Sequence, residues 1–254
     1  MTLSPLTYLI VLPLVALAGF VDAAAGGGGL ISLPAYLVAG LPPHLASGTN
    51  KMGAVFGTAL ATTKYARERC LDFRAAVPAA LGALPGAAIG ARLLLVVPEA
   101  AAQVFMMVAV PVVAVFLLFR RDRIDPPEQE RPVRPWICFL IGLGIGAYDG
   151  FFGPGTGTFL MLAFAAFCGM PLVRASGSAK LVNLASNLAA MVTFLGSGSV
   201  LVALALPAAL CSMLGNYLGA RMAVRKGARL IRPLFFCVLA LLLLTVAVEF
   251  FAQR

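Results

Sequence analysis

Long apolar runs, separated by short polar or Gly- and Pro-rich breaks, occupy most of this 254-residue chain. Most of these runs approach the roughly 20 residues that a helix needs to cross a bilayer. The second run in each half is shorter, because Pro34 interrupts one and Pro171 ends the other. The pattern predicts a polytopic all-α membrane protein. The runs are 4–24, 29–42, 46–66, 74–95 and 100–119 in the first half, and 136–152, 156–170, 174–195, 199–221 and 233–251 in the second.

The two halves repeat each other, with sequence blocks recurring in one order. The recurring blocks are Gly19-Phe-Val-Asp22 with Gly146-Ala-Tyr-Asp149, Ala46-Ser-Gly-Thr-Asn-Lys51 with Ala175-Ser-Gly-Ser-Ala-Lys180, and Gly86, Gly90 and Arg92 with Gly215, Gly219 and Arg221. Chance matching of small residues explains Gly and Ala but not Asp, Lys and Arg. We therefore predict a first transmembrane repeat over 1–119, a cytoplasmic basic and Pro-rich linker over 120–135, and a second repeat over 136–254. Each repeat has about five helical segments, including Gly-rich broken helices.

Basic residues predict that the two repeats have opposite orientation in the membrane. They crowd the loop after the third run of the first half and the loop after the fourth run of the second half. Cytoplasmic loops are enriched in Lys and Arg, so equivalent loops would lie on opposite sides. Opposite orientation requires an odd number of crossings per half, which places both termini outside the cytoplasm. If the short second runs only re-enter, four crossings per half would give parallel repeats and leave the charge pattern unexplained.

Composition narrows the class further. The chain is 61% hydrophobic and 11% charged, whereas soluble domains are about 45–50% apolar and 25% charged. This excludes a soluble protein, a disordered one and a nucleic-acid reader. The net charge of +9 comes from clustered basic residues. Such clusters are typical of the loops that set the orientation of a membrane protein. With one histidine, His44, and five cysteines in no CxxC pattern, we expect neither a metal site nor a cofactor.

The candidate site is defined by charged residues within the apolar runs, because charge at membrane depth is costly and calls for an explanation. Asp22 and Asp149 precede the Gly-rich breaks, and Lys51 and Lys180 lie near the start of the third runs. Broken helices leave free N–H groups that attract anions. Hydrogen-bond donors accompany the lysines, and the set predicts a small oxyanion site. The donors are Thr49, Asn50, Ser178, Asn183 and Asn187.

Each of these charges also has a structural interpretation. Lys51 and Lys180 either contact substrate, extend to the membrane interface, or pair with the two aspartates as structural ties. Asp22 and Asp149 either cap the following helix or couple transport to an ion or proton. The sequence alone leaves these alternatives open.

The longest block, Gly146-Ala-Tyr-Asp-Gly-Phe-Phe-Gly-Pro-Gly-Thr-Gly-Thr158, resembles a signature of the sulfite exporter TauE/SafE family, and the resemblance runs from about Tyr8 to Phe250. It implies a bacterial inner-membrane transporter of small sulfur-containing anions such as sulfite or sulfonates. Where the first half has Asn50 the second has Ala179, so the half-sites are not equivalent. By the resemblance, the residues around the central pathway are Gly26, Gly28, Thr49, Asn50, Lys51, Gly153, Gly155, Thr156, Ser178, Lys180, Asn183 and Asn187.

We therefore predict a secondary transporter, an exporter of such anions. The alternatives are an anion channel, or a carrier of another small organic anion on the same fold. No GxxxxGK[ST] motif is present, so no ATP motor is expected. HExxH, GxSxG and GxGD are absent, which disfavours an enzyme. The expected partners are the anion and the lipid bilayer, and GxxxG spacings permit a homodimer.

Overall fold

The computed structural model describes residues 4–98, 100–101, 132–231, 233–234 and 237, and within them the chain is helical, with no strand. The helices are α1 (Pro5–Ala25), α2 (Gly29–Val38), α3 (Pro43–Arg67), α4 (Phe73–Val96), α5 (Pro135–Phe151), α6 (Thr156–Cys168), α7 (Leu172–Gly196) and α8 (Val202–Lys226). Each matches a predicted apolar run to within a few residues, so the all-α prediction is confirmed. The predictions for 100–119, 120–135 and 233–251 lie almost entirely outside the described residues.

Helix lengths separate full membrane spans from broken ones. Four helices, α1, α4, α7 and α8, are long and apolar enough to cross a bilayer. By contrast, α2 and α6 are about 15 and 20 Å long at 1.5 Å per residue, well short of a 30 Å hydrocarbon core. Each follows a glycine in the left-handed region, Gly26 at φ 79° and Gly155 at φ 80°. Such backbone suits glycine and ends or begins a helix there.

The order of helix contacts shows that the two repeats are inverted. A methyl group on Gly82, Gly86 or Gly90 would overlap, in turn, a carbonyl of 139, 143 or 147, so α4 and α5 run in the same direction. A short connection, 68–72, joins α3 to α4, so these two run in opposite directions. Gly48 lies against Phe194, while Tyr65 lies 3.2 Å from Ser176, so α3 and its counterpart α7 are antiparallel.

A second group of helices, α1, α3 and α8, also shares one direction. Gly215 packs on the backbone of Ala16 and Gly219 on that of Phe20, which makes α1 parallel to α8. Gly48 packs on Ser199 and Gly57 on Ser212, so α3 is also parallel to α8. Helices α1, α3 and α8 therefore run one way, and α4, α5 and α7 the other. The end of α4 and the start of α5 lie on opposite sides, the placement that an odd number of crossings per half requires.

The GxxxG glycines are used inside the chain. Gly86 and Gly90 pack on α5, and their counterparts Gly215 and Gly219 pack on α1, at distances that exclude a side chain. Small residues are what allow membrane helices to approach so closely. These faces are therefore occupied by contacts between the repeats, and the homodimer stays a prediction without their support.

This packing predicts a contrast between two glycines of α5. A Cβ on Gly142 would overlap the carbonyl of Ala79, whereas one on Gly144 would meet no atom within 4 Å. We expect Gly142→Ala to lower the free energy of unfolding by about 1–3 kcal/mol. Gly144→Ala should be neutral or stabilising, because alanine favours a helix over glycine. Thermal unfolding in detergent measures both, and equal melting temperatures would contradict the assigned interface.

Candidate functional site

The end of α1 is fixed by side chains from three other helices. The last carbonyls of a helix have no partner within it and must find one elsewhere. Here Tyr65 Oη donates to the Ala23 carbonyl at 2.9 Å, Ser176 Oγ to that of Ala24 at 3.3 Å, and Thr158 Oγ1 to that of Ala25 at 2.7 Å. The break after α1 is therefore a built feature of the fold.

The two Gly-rich breaks meet at the centre of the protein. The backbone of Gly26 lies against that of Gly157, and Gly29 lies beside Pro154, with no room for larger residues between the first pair. As a result α2 and α6 begin next to each other. The positive ends of their dipoles, with N–H groups that have no helical acceptor, face the same region.

Two ion pairs cross from one repeat to the other at this centre. Lys51 of α3 lies 2.7 Å from the carboxylate of Asp149 on α5, and Lys180 of α7 lies 2.7 Å from that of Asp22 on α1. The four residues occupy equivalent positions in the repeat, so the second pair is the counterpart of the first. Each lysine is at most 4% exposed. Removing one member would leave a buried charge, which typically costs about 3–5 kcal/mol.

The two pairs nevertheless have different surroundings. Lys51 also donates to Asn187 Oδ1 at 3.0 Å, and Ser186 Oγ donates to Asp149 at 2.6 Å. Both Lys51 and Asp149 line a central cavity. Of the other pair only Asp22 lines it, and Lys180 contacts that carboxylate from outside the lining. Among the described residues, Lys51 is therefore the one cation that faces the cavity.

The cavity is small, with a volume of about 50 Å³, and polar and charged side chains share its lining with apolar ones. This exceeds the minimum space that one water molecule needs, so the cavity can hold water or a small ion. The starts of α2 and α6, the Lys51 ammonium, amide side chains and hydroxyls all face it. An ammonium, donor groups and two helix N-termini can surround an oxyanion, and two carboxylates, Asp22 and Asp149, line the same cavity.

The structure brings most of the predicted site residues to this cavity. Those that line it are Gly26, Gly28, Asn50, Lys51, Gly153, Thr156, Asn183, Asn187 and both aspartates, Asp22 and Asp149. Four others do not line it: Thr49, Gly155, Ser178 and Lys180. Gly155 instead precedes α6 as its left-handed N-cap.

Thr49 and Ser178 have a structural role that the repeat explains. Thr49 Oγ1 accepts a hydrogen bond from the backbone N–H of Leu201 at 3.0 Å, just before α8. Ser178 Oγ accepts the equivalent bond from Asp72 N–H at 3.0 Å, just before α4. Each hydroxyl fixes the start of the fourth helix of the other repeat.

Sequence reasoning missed several polar groups of the cavity. Tyr36, Thr58, Ser212 and Asn216 all line it, and all are buried. Within the part of the chain that the structure describes, the Tyr36 hydroxyl and the Asn216 side-chain oxygen have no hydrogen-bond partner. The sequence feature that could have identified them is a polar residue inside an apolar run, since such residues face the interior of the helix bundle or a cavity. Asn216 in the run 199–221 is the clearest case.

Comparison with known proteins gives the same assignment along nearly the whole chain. The sulfite exporter TauE/SafE family model matches residues 11–246. A probable membrane transporter protein, ORF9, of Sinorhizobium sp. is 38% identical over 87% of this chain and 85% of its own. One from Haemophilus influenzae is 36% identical over 85% of both chains. The probable membrane transporter protein YfcA of Escherichia coli is 32% identical over 94% of this chain and 89% of its own.

No solved structure matches the chain. The family match nevertheless covers both repeats, both Gly-rich breaks and all four residues of the crossed ion pairs. The family and these relatives are membrane transporters and not enzymes. The chain belongs to the sulfite exporter TauE/SafE family of membrane transporters.

Proposed function

We propose that this protein is a secondary carrier of small sulfur oxyanions, with sulfite as the best fit, and that Lys51 contacts the anion. The observation that carries the proposal is the position of Lys51 in the lining of a small cavity beside the starts of α2 and α6. A volume of about 50 Å³ suits sulfite better than a longer sulfonate such as sulfoacetate. Lys180, which lies behind Asp22, acts as a structural tie.

A carrier accounts for the architecture better than a channel does. The site lies where two inverted repeats meet, which is the common arrangement of alternating-access transporters.

The orientation belongs to the same proposal. The end of α3, the start of α4 and the end of α8 lie on one side, and they carry the basic residues Lys64, Arg67, Arg69, Arg74, Arg221, Arg225 and Lys226. By the positive-inside rule this side is cytoplasmic in the bacterial inner membrane. The start of α1 then lies outside.

The experiment that tests the function is anion flux in proteoliposomes. We expect saturable flux of sulfite, weaker flux of sulfoacetate, and little flux of chloride or acetate. Thiosulfate and sulfate complete the panel and define the preferred charge and size. Preference for acetate would favour a carrier of organic anions, and flux that does not saturate would favour a channel. Absence of flux for every anion, in folded protein, would overturn the proposal.

A further inference from the structure

The geometry points to proton-coupled transport in which Asp149 binds the proton that accompanies the anion. This inference rests on the proposed anion carrier and adds its coupling ion. Its basis is the ion pair at the cavity wall. The ammonium that the anion needs is already held 2.7 Å from Asp149, in a site where both residues are at most 4% exposed.

Charge balance gives the first step. With the cavity empty, Lys51 and Asp149 carry opposite charges and sum to zero, as do Lys180 and Asp22. A monovalent anion at Lys51 would add one negative charge beside an ionised carboxylate. Two anionic groups that share a site favour protonation of one of them. If Asp149 takes a proton from solution as the anion binds, the sum returns to zero.

The hydrogen bonds around Asp149 allow this exchange. The carboxylate accepts from Lys51 and from the Ser186 hydroxyl at 2.6 Å. A hydroxyl both donates and accepts, so Ser186 can turn to accept from a protonated carboxyl. Asn187 keeps its bond to Lys51 while the ammonium turns from the carboxylate to the anion. On release, the anion and the proton leave together and the ion pair forms again.

The groups that surround Asp149 single it out from Asp22. The titratable groups near it are Lys51 on α3, Asp22 of α1 and Tyr36 of α2 in the same cavity lining, Lys180 paired with Asp22, and Tyr148 on its own helix. Helix α4 packs along α5 and has its arginines near its two ends. Helix α6 carries no charged residue, and α8 contributes the uncharged side chains of Ser212 and Asn216 to the cavity. The partner of Asp22, Lys180, is outside the cavity lining, so an anion cannot displace it in the same way.

The decisive experiment measures how the equilibrium distribution of labelled sulfite across proteoliposomes depends on a clamped membrane potential, without a pH gradient. Asp149→Asn would carry the anion without this proton and so move one more negative charge than the wild type. For this variant, the equilibrium ratio of sulfite inside to sulfite outside should change about 50-fold more per 100 mV than for the wild type. Equilibrium does not depend on rate, so a slow variant is still informative. Protons carried by sulfite itself are the same in both proteins.

The matched control is Asp72→Asn. Asp72 is an ion-paired carboxylate like Asp149, but its partner is Arg174 at 2.9 Å and it lies outside the central cavity. The equilibrium distribution of sulfite reached by Asp72→Asn should equal that reached by the wild type. Equal distributions for Asp149→Asn and wild type, with both transporting sulfite, would overturn the coupling and leave the anion carrier standing. A wild type that moves no sulfite would overturn both.

A milder variant keeps the test decisive if Asp149→Asn does not fold. Ser186→Ala removes one donor from the carboxylate and leaves the ion pair, so Ser186 is treated as a positioning residue. If Asp149 carries the proton, the pH dependence of sulfite flux should differ between this variant and the wild type, because one hydrogen bond to the carboxylate is missing. A pH profile identical to that of the wild type would contradict the role of Asp149.

Discussion

Replacement of Lys51 by alanine is expected to reduce saturable sulfite flux by about 100-fold, because it removes the one cation that faces the cavity among the described residues. A hydrogen bond to a charged group contributes about 1.5–3 kcal/mol, and the site offers no second ammonium to replace it. Flux in proteoliposomes, normalised to folded protein, measures the effect. Lys51→Arg, which keeps the charge, should retain part of the flux.

Two further variants separate transport from folding. In Lys51→Met with Asp149→Asn the whole pair becomes neutral, so the stability lost in the single variant should largely return while flux stays low. Lys180→Ala removes the equivalent lysine behind Asp22 and should lower the yield of folded protein more than the flux per molecule. Full flux in folded Lys51→Ala would place the anion elsewhere, among the N–H groups of the Gly-rich breaks.

Gly26→Ala is expected to have the largest effect on folding. Gly26 has φ 79°, and a Cβ there would collide with the backbone of Gly157 and Thr158. The strained backbone and the collision cannot both be relieved by a local shift, because the two Gly-rich breaks support each other at the centre. We expect the variant to lose most of its folded yield, measured as monodisperse protein in detergent.

Gly40 provides the matched control for this prediction. It also has a left-handed backbone, with φ 87°, but a Cβ there would meet no atom within 4 Å. Gly40→Ala therefore carries only the conformational cost, of about 1–2 kcal/mol, and should still fold. If the two variants lose equal stability, backbone strain and not the contact between the breaks is what glycine provides at position 26.

The repeat made much of this fold predictable from the sequence. Paired blocks around Asp22 and Asp149, and around Lys51 and Lys180, fixed the register between halves, and apolar runs gave the helices to within a few residues. Local glycine chemistry located the breaks. The clustered basic residues predicted the inversion, and the order of helix contacts then showed it. Charge distribution and helix direction agree because each depends on which loops lie on the same side of the membrane.

Other features depend on tertiary contacts that spacing does not encode. The sequence left open whether each lysine meets an aspartate, and it could not tell that the pairs cross between repeats. Thr49 and Ser178 were expected as donors to an anion, but whether a hydroxyl faces a cavity or a neighbouring backbone is decided by helix rotation. The inequivalence of the two ion pairs, with Lys51 at the cavity and Lys180 behind Asp22, required the packed structure.

The position of the bound anion decides between the two lysines. Equilibrium binding of labelled sulfite to the purified protein, compared between wild type and the pair of single variants Lys51→Met and Lys180→Met, tests this without requiring transport. We predict one saturable site per chain that unlabelled sulfite displaces, that is lost in Lys51→Met and that is retained in folded Lys180→Met. Binding that survives in Lys51→Met and disappears in Lys180→Met would contradict the assignment of the cavity lysine.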